Sequence, residues 1–225
     1  HIDSTFNKKL LEFLKQFAKT TFEELYDLFD DVDLKKNTHL WLLSKASFDA
    51  FGQSPDIKLP FTDGIAGVFF CEDSETLNVA IHDGFFQNAD PALNIDGIVG
   101  FGAFDTLRTF THEEVHALQR EAKFYAIDDG YYWIEGSANL IAEQIASKVV
   151  NVPIDHFTNA LYPSAMRQKC GKLGSFSDLN SYKTFYGDNS LVSSRYALAH
   201  AATIMASHYC GDDDDPATDA VEFMV

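Results

Sequence analysis

The sequence is short of positive charge: 17 Lys and Arg stand against 34 Asp and Glu, a formal net charge of −17 over 225 residues. Phosphate recognition needs clustered basic side chains, so no nucleic-acid partner is expected. Cysteine is scarce as well. Cys71, Cys170 and Cys210 make no disulfide framework, and none of their spacings resembles a zinc ribbon. One bridge, Cys170 to Cys210, is compatible with the count and leaves Cys71 in a strand; three buried thiols are the alternative. Long apolar runs are missing. Even YALAHAATIMASHYC, 196–210, is broken by His200 and His208 and falls short of the roughly 18 residues that read as a bilayer span, so no membrane partner is expected. The start, HIDSTF, has neither an initiating Met nor a basic segment followed by an apolar one, so any signal peptide was removed or never there. Acidity of this size suits a secreted or periplasmic protein. Internal repeats and low-complexity linkers are absent too, which points to one folded unit.

What the chain does have is enough apolar content, 46% against 23% charged, to bury a sizeable core. From residue 5 to about 29, Phe6, Leu10, Phe13, Leu14 and Phe17 recur at helical spacing. The pattern restarts at TTFEELYDLF, where Thr21 and Glu24 have capping-box spacing, so two helices joined near Thr20 are expected. LWLLSKASFDAFG, 40–52, fits helix or strand, and the turn-rich segment after it reads as a loop. IAGVFFC and TLNVAIH, separated by EDSE, read as a β-hairpin. A stretch rich in Gly, Asn and Asp follows from 83 to about 102, where Phe85 and Phe86 are candidates to line a cleft. From 104 to about 123, Phe104, Leu107, Thr111, Val115, Leu118 and Ala122 repeat at three and four residues, which predicts a helix. A second helix is expected from about 134 to 149, and the last third reads as mainly helical. The tail GDDDDPATD reads as a solvated acidic run.

Within the first of these helices lies HEEVH, 112–116. With 8 His and 11 Glu in the chain, some H-E-x-x-H arises by chance in about 1% of such compositions, which leans the pattern towards chemistry. Residues i and i+4 of a helix stand one above the other, so His112 and His116 can aim at a single metal ion, with Glu113 within reach of a water on it. A catalytic zinc needs one more protein ligand and leaves its fourth position to water. Among the acids downstream, Glu135 in WIEGSANLIAE has 18 residues between it and His116, enough for the first helix to end and a second to return antiparallel. Gly136 beside it would let the two helices approach closely. Asn139, four residues on, is placed to hold the second ring nitrogen of a ligand histidine, less strongly than a carboxylate would.

HEEVH followed by the Glu of WIEG resembles the gluzincin metallopeptidases, the group of thermolysin, the zinc aminopeptidases and the bacterial collagenases. Their HExxH is followed by a Glu, commonly in a W-x-x-E-G-x-A-like stretch, and Trp133, Glu135, Gly136 and Ala138 match that flavour. The likeness covers about residues 105 to 145, with Tyr196 and the segment after it similar to the helix packed behind the site in several such enzymes. It implies an α+β, zincin-like fold in a single catalytic domain. An N-terminal lobe of about 1–125 would carry the hairpin, followed by a helical C-terminal lobe of about 126–210 and the acidic tail 211–225. It implies a Zn2+ cofactor held by His112, His116 and Glu135. Glu113 would be general base and proton shuttle, and Tyr196, or else His200, the donor to the developing oxyanion. The substrate would be a peptide or protein, pairing as an extended strand with one strand of the hairpin. No G-x-M-E-N-like exopeptidase signature precedes the helix, which favours an endopeptidase.

The blander readings are specific too. Glu114 is expected to point to water without a role, and Tyr196 on an Ala-rich segment is by default a core tyrosine. His39, His82, His156 and His208 read as surface or satisfied core groups. Two rivals keep the metal: a binding protein whose zinc only ties helices together, and a zinc hydrolase of non-peptide substrates. Against the first stands the intact Glu113, because a structural site has no use for a base beside an open position.

Overall fold

The computed structural model describes residues 1–30, 38–53, 66–71, 76–84, 103–123 and 131–151, together with Ala199, Thr203, Ile204, Ser207, Gly211 and residues 215–222. Helix α1 (Lys8–Leu28) begins at Asn7, whose side-chain oxygen accepts from the backbone N–H groups of Lys9 and Leu10. It is one helix, where the sequence predicts two. Thr21 is buried within it, and its hydroxyl donates to the Phe17 carbonyl at 3.0 Å instead of capping a new helix. The ambiguous stretch 40–52 is strand and then helix. Strand β1 (Thr38–Leu43) ends at extended Ser44, whose hydroxyl accepts from the Ser47 N–H and starts α2 (Lys45–Gly52).

Strands β2 (Gly67–Cys71) and β3 (Leu77–His82) pair antiparallel, from Gly67 opposite Ile81 to Cys71 opposite Leu77, as the hairpin reading expects. On the other side of β3, β1 pairs parallel to it, Thr38 opposite Leu77 through Leu43 opposite His82, giving the order β1-β3-β2. All six residues of β3 are buried, because both faces of the sheet are covered. Leu42, Val79 and Ile81 pack on one face with Phe6, Leu10, Leu14, Leu107 and Phe110, while Leu43 and Ala80 pack on the other with Phe48 of α2.

Helices α3 (Ala103–Glu121) and α4 (Tyr131–Val150) match the two expected from periodicity. They run antiparallel: Leu107 and Phe110 share a core cluster with Ala146, whereas Gln119, further along α3, bonds to Ile134 at the start of α4. A short helix α5 (Pro216–Glu222) buries Ala217, Ala220 and Val221 against α4. The tail is therefore not a wholly solvated run. Asp219 is fully buried and accepts the Ser207 hydroxyl, and a Cβ on Gly211 would collide with its carboxylate. At coarse level the fold is α+β, a three-stranded sheet with helices on both faces. No described helix is long and apolar enough to cross a membrane.

Other expectations separate in the same way. Cys71 is exposed, so the reading of three buried thiols does not hold for it. His82 is a satisfied core group: its ring lies against Phe48 and its Nδ1 accepts from the Gly84 N–H at 2.8 Å. Tyr196, His200, Cys170, Cys210, Phe85, Phe86, His156 and His208 lie outside the described residues.

Gly136 does allow close approach, but of a different neighbour from the one expected. A Cβ there would stand 2.4 Å from the backbone oxygen of Ala199 and 2.3 Å from the Thr203 hydroxyl. Backbone cannot step aside as a flexible side chain can. Gly136→Ala should therefore lower stability by about 1–3 kcal/mol, the usual cost of overpacking, measured by denaturant unfolding. An unchanged midpoint would mean that the Ala199 segment is not held against α4.

Candidate metal centre

Between Phe110 and Gln119 every residue of α3 is buried, although six of the ten are polar. Such residues rarely tolerate burial unless they are paired with one another or with a ligand. His112 and His116, one turn apart, stack on the side of α3 that meets α4, and Glu135 enters from the first turns of α4. His112 Nε2 and His116 Nε2 are 3.0 Å apart, and Glu135 Oε2 lies 3.2 Å from the first and 3.4 Å from the second. These three buried residues could hold a metal ion. The spacing itself tests the fit: ligands bound tetrahedrally at about 2.0–2.1 Å stand about 3.3 Å from one another. Glu135 Oε2 is also buried without a properly directed hydrogen bond, although two imidazoles face it. A carboxylate oxygen and two ring nitrogens standing 3.0–3.4 Å apart are at the spacing of ligands around one shared cation.

Electrostatics follow from the packing. Burial opposes the charge of Glu135, but His116 and His112 outweigh it and hold the carboxyl well below the ordinary carboxylate range. Burial likewise opposes a charged His116, yet the Glu135 and Glu113 carboxylates and its hydrogen bonds raise it to about 9. Without a cation, the site is thus held together by an imidazolium beside a carboxylate. Burial pushes Glu113 up from its ordinary value, against the lowering influence of both histidines and of a hydrogen bond from the Phe69 backbone in β2. Gly67 makes that contact between strand and helix possible. A Cβ there would lie 2.8 Å from Thr109 Cγ2 and 3.1 Å from Glu113 Cγ.

The sequence-predicted ligands are brought together, with Glu113 beside them. Two other assignments change. Asn139 does not hold His116, whose Nδ1 bonds instead to Gln119 Oε1 at 2.8 Å, and Asn139 Nδ2 is buried with no hydrogen-bond partner. Gln119 was missed, though its i+3 spacing from His116 places it on the same side of the helix. Glu114 does not point to water. It is 2% exposed, because the side of α3 opposite α4 is itself covered, with the Thr38 hydroxyl bonded to its carboxyl and Tyr26 of α1 nearby. No protein-family model, curated protein or solved structure matches this chain.

Glu114 generates a pH prediction. Burial above all, with the neighbouring Glu113 adding to it, raises its carboxyl to about 8. The folded chain then keeps a proton that the unfolded chain gives up near pH 4.5, so this group's contribution is complete below that pH. It is lost progressively as pH rises towards 8, and level above. Glu114→Gln keeps the neutral shape without the ionisation. Its melting temperature relative to the parent should therefore climb between pH 5 and pH 8, and a difference constant with pH would show that Glu114 does not stay protonated in the fold.

Proposed function

We propose that this chain is a zinc-dependent peptidase with a zincin-like arrangement of the gluzincin pattern, acting on internal bonds of peptides or proteins. One observation carries the reading: His112, His116 and Glu135 converge at 3.0–3.4 Å with the buried carboxyl of Glu113 beside them. Two imidazoles and one carboxylate are the ligand set of a catalytic zinc that retains a water, and the resemblance of HEEVH and WIEG agrees with it.

A bound zinc supplies acidified water and a polarised substrate carbonyl. Glu113 would be the group that accepts a proton from water at the site and hands it to the leaving amine. Its raised affinity for a proton, caused by burial, matches both halves of the task better than an ordinary exposed carboxylate would. The hydrogen bond from the Phe69 backbone keeps the carboxyl in place.

The substrate side is supported by the sheet. The order β1-β3-β2 makes β2 an edge among the described residues. The Ala66 carbonyl accepts from the His82 N–H, so it faces β3, and the strand's alternation turns the backbone groups of 67, 69 and 71 the other way. An extended peptide laid along that edge would pass the Glu113 carboxyl. Ala199 lies against Gly136, one residue from Glu135, and falls between Tyr196 and His200 in sequence. By the resemblance, Tyr196, or else His200, is the proposed oxyanion donor.

Elemental analysis of the purified protein should find one zinc per chain, and mass spectrometry of a digested peptide library should find internal cleavage. Glu113→Gln should keep the zinc and lose about 10²–10⁴-fold in rate, the range of general acid–base catalysis. Full activity in that variant would remove Glu113 as base. Glu135→Ala should lose the zinc; unchanged metal content would reject Glu135 as a ligand. A parent that holds zinc and cuts nothing in the library would leave the metal as a tie between α3 and α4.

A further inference from the structure

Gln119 is fully buried, and its amide lies between the two helices that carry the ligands. Its Nε2 is 3.0 Å from the Ile134 carbonyl and 2.9 Å from the Ser137 hydroxyl, both on α4. The Ser137 hydroxyl in turn donates to the Trp133 carbonyl. Backbone carbonyls only accept. The Gln119 group facing Ile134 must therefore be the NH2, which places one hydrogen on Ile134 and one on Ser137 Oγ. The other end of the amide is then fixed as oxygen. That oxygen lies 2.8 Å from His116 Nδ1 and cannot donate, so the hydrogen between them belongs to the ring. With Nδ1 carrying it, the nitrogen left to face a cation is Nε2, the atom 3.4 Å from Glu135 Oε2 and 3.0 Å from His112 Nε2.

We infer that Gln119 is a positioning residue: held by Ser137 and the Ile134 carbonyl, it keeps the hydrogen on His116 Nδ1 and aims the opposite nitrogen at the cation site. Its use for catalysis rests on the zinc reading above. The chain of bonds starts from Trp133, Ile134 and Ser137, which flank Glu135 on the first turns of α4. The orientation of a ligand on α3 is thereby tied to the turn that supplies the third ligand. A shift between the helices would disturb His116 and Glu135 together.

The test compares the parent with Gln119→Leu, Gln119→Glu and Ser137→Ala. Gln119→Leu removes both the acceptor for His116 and the donors to α4, whereas Gln119→Glu keeps an acceptor, loses the donors and adds a negative charge. Both should lower the unfolding midpoint, as loss of helix docking alone would. Zinc affinity, measured by competition with a chromophoric chelator, separates the roles. Gln119→Leu should bind about 10–100-fold more weakly, the usual effect of removing a partner behind a ligand histidine, and Gln119→Glu should recover most of that loss. Ser137→Ala should fall between the parent and Gln119→Leu. Nitrogen-15 NMR of the zinc-free protein should find the His116 Nδ1 hydrogen protected from exchange in the parent and in Gln119→Glu, and unprotected in Gln119→Leu.

Equal zinc affinity in Gln119→Leu and the parent would overturn the inference, as would a Gln119→Glu variant as weak as Gln119→Leu. So would an unprotected Nδ1 hydrogen in the parent. Should Gln119→Leu fail to fold, Ser137→Ala and the parent spectrum decide. A parent without measurable zinc affinity would defeat the zinc reading, and the exchange measurement on the same zinc-free chain would still decide the role of Gln119.

Discussion

Helix α3 is covered on all sides over ten residues, and six of those residues are polar. Burying Thr, Gln, two His and two Glu on one helix is unfavourable unless every group finds a partner, so the packing around α3 constrains the rest of the fold. The sheet and α1 cover one side and α4 covers the other. Each brings something polar with it: β1 the Thr38 hydroxyl for Glu114, β2 the Phe69 N–H for Glu113, and α4 a carboxylate for the histidines and carbonyl and hydroxyl groups for Gln119. The elements that build the core are thus the ones that position the side chains.

Partners of three kinds resolve the burden in three ways. Glu114 meets too little positive charge and stays protonated. Glu135 meets two imidazoles and stays ionised. Glu113 lies between these cases, pulled upwards by burial and downwards by the histidines and a backbone donor. Three glutamates close together in one core therefore have different proton affinities because their neighbours differ. A core serving stability alone would reach the same volume with apolar residues, so the buried carboxyls mark this stretch as a candidate site.

Much of this was legible in the sequence wherever spacing along one element carried the information. The i, i+4 histidines, the helix they occupy, the returning helix with Glu135 and the β2–β3 hairpin all follow from periodicity and turn residues. What escaped depended on contacts between distant segments. The parallel pairing of β1 with β3 joins residues nearly forty apart, and a strand of six residues does not announce its neighbour. Glu114 was read as solvent-facing because a helix normally has an exposed side, a premise that fails when α1, the sheet and α4 enclose it. Thr21 has the spacing of a cap but bonds back to Phe17, and local pattern does not separate the two. Gln119 was the nearest miss, since its register with His116 was visible but its hydrogen bonds reach α4.

The same enclosure explains how the site can be both stable and ready for a cation. With no cation, the imidazolium of His116 beside the Glu135 carboxylate supplies the pairing that burial demands. A divalent cation held between them would replace a proton with a larger positive charge at the point where Glu135 Oε2 lacks a properly directed hydrogen bond. Exchange at that point leaves the Nδ1 side of the ring untouched, because Gln119 holds it by an oxygen that only accepts. The ligand atoms already stand near tetrahedral spacing, and the bonds from Gln119 to Ile134 and Ser137 tie the two helices together beside them. A net charge of −17 adds a long-range attraction for cations without specifying which is bound. Under the proposed zinc reading, selection would rest on the two nitrogens and one oxygen, a donor set better suited to zinc than to the oxygen-seeking calcium and magnesium.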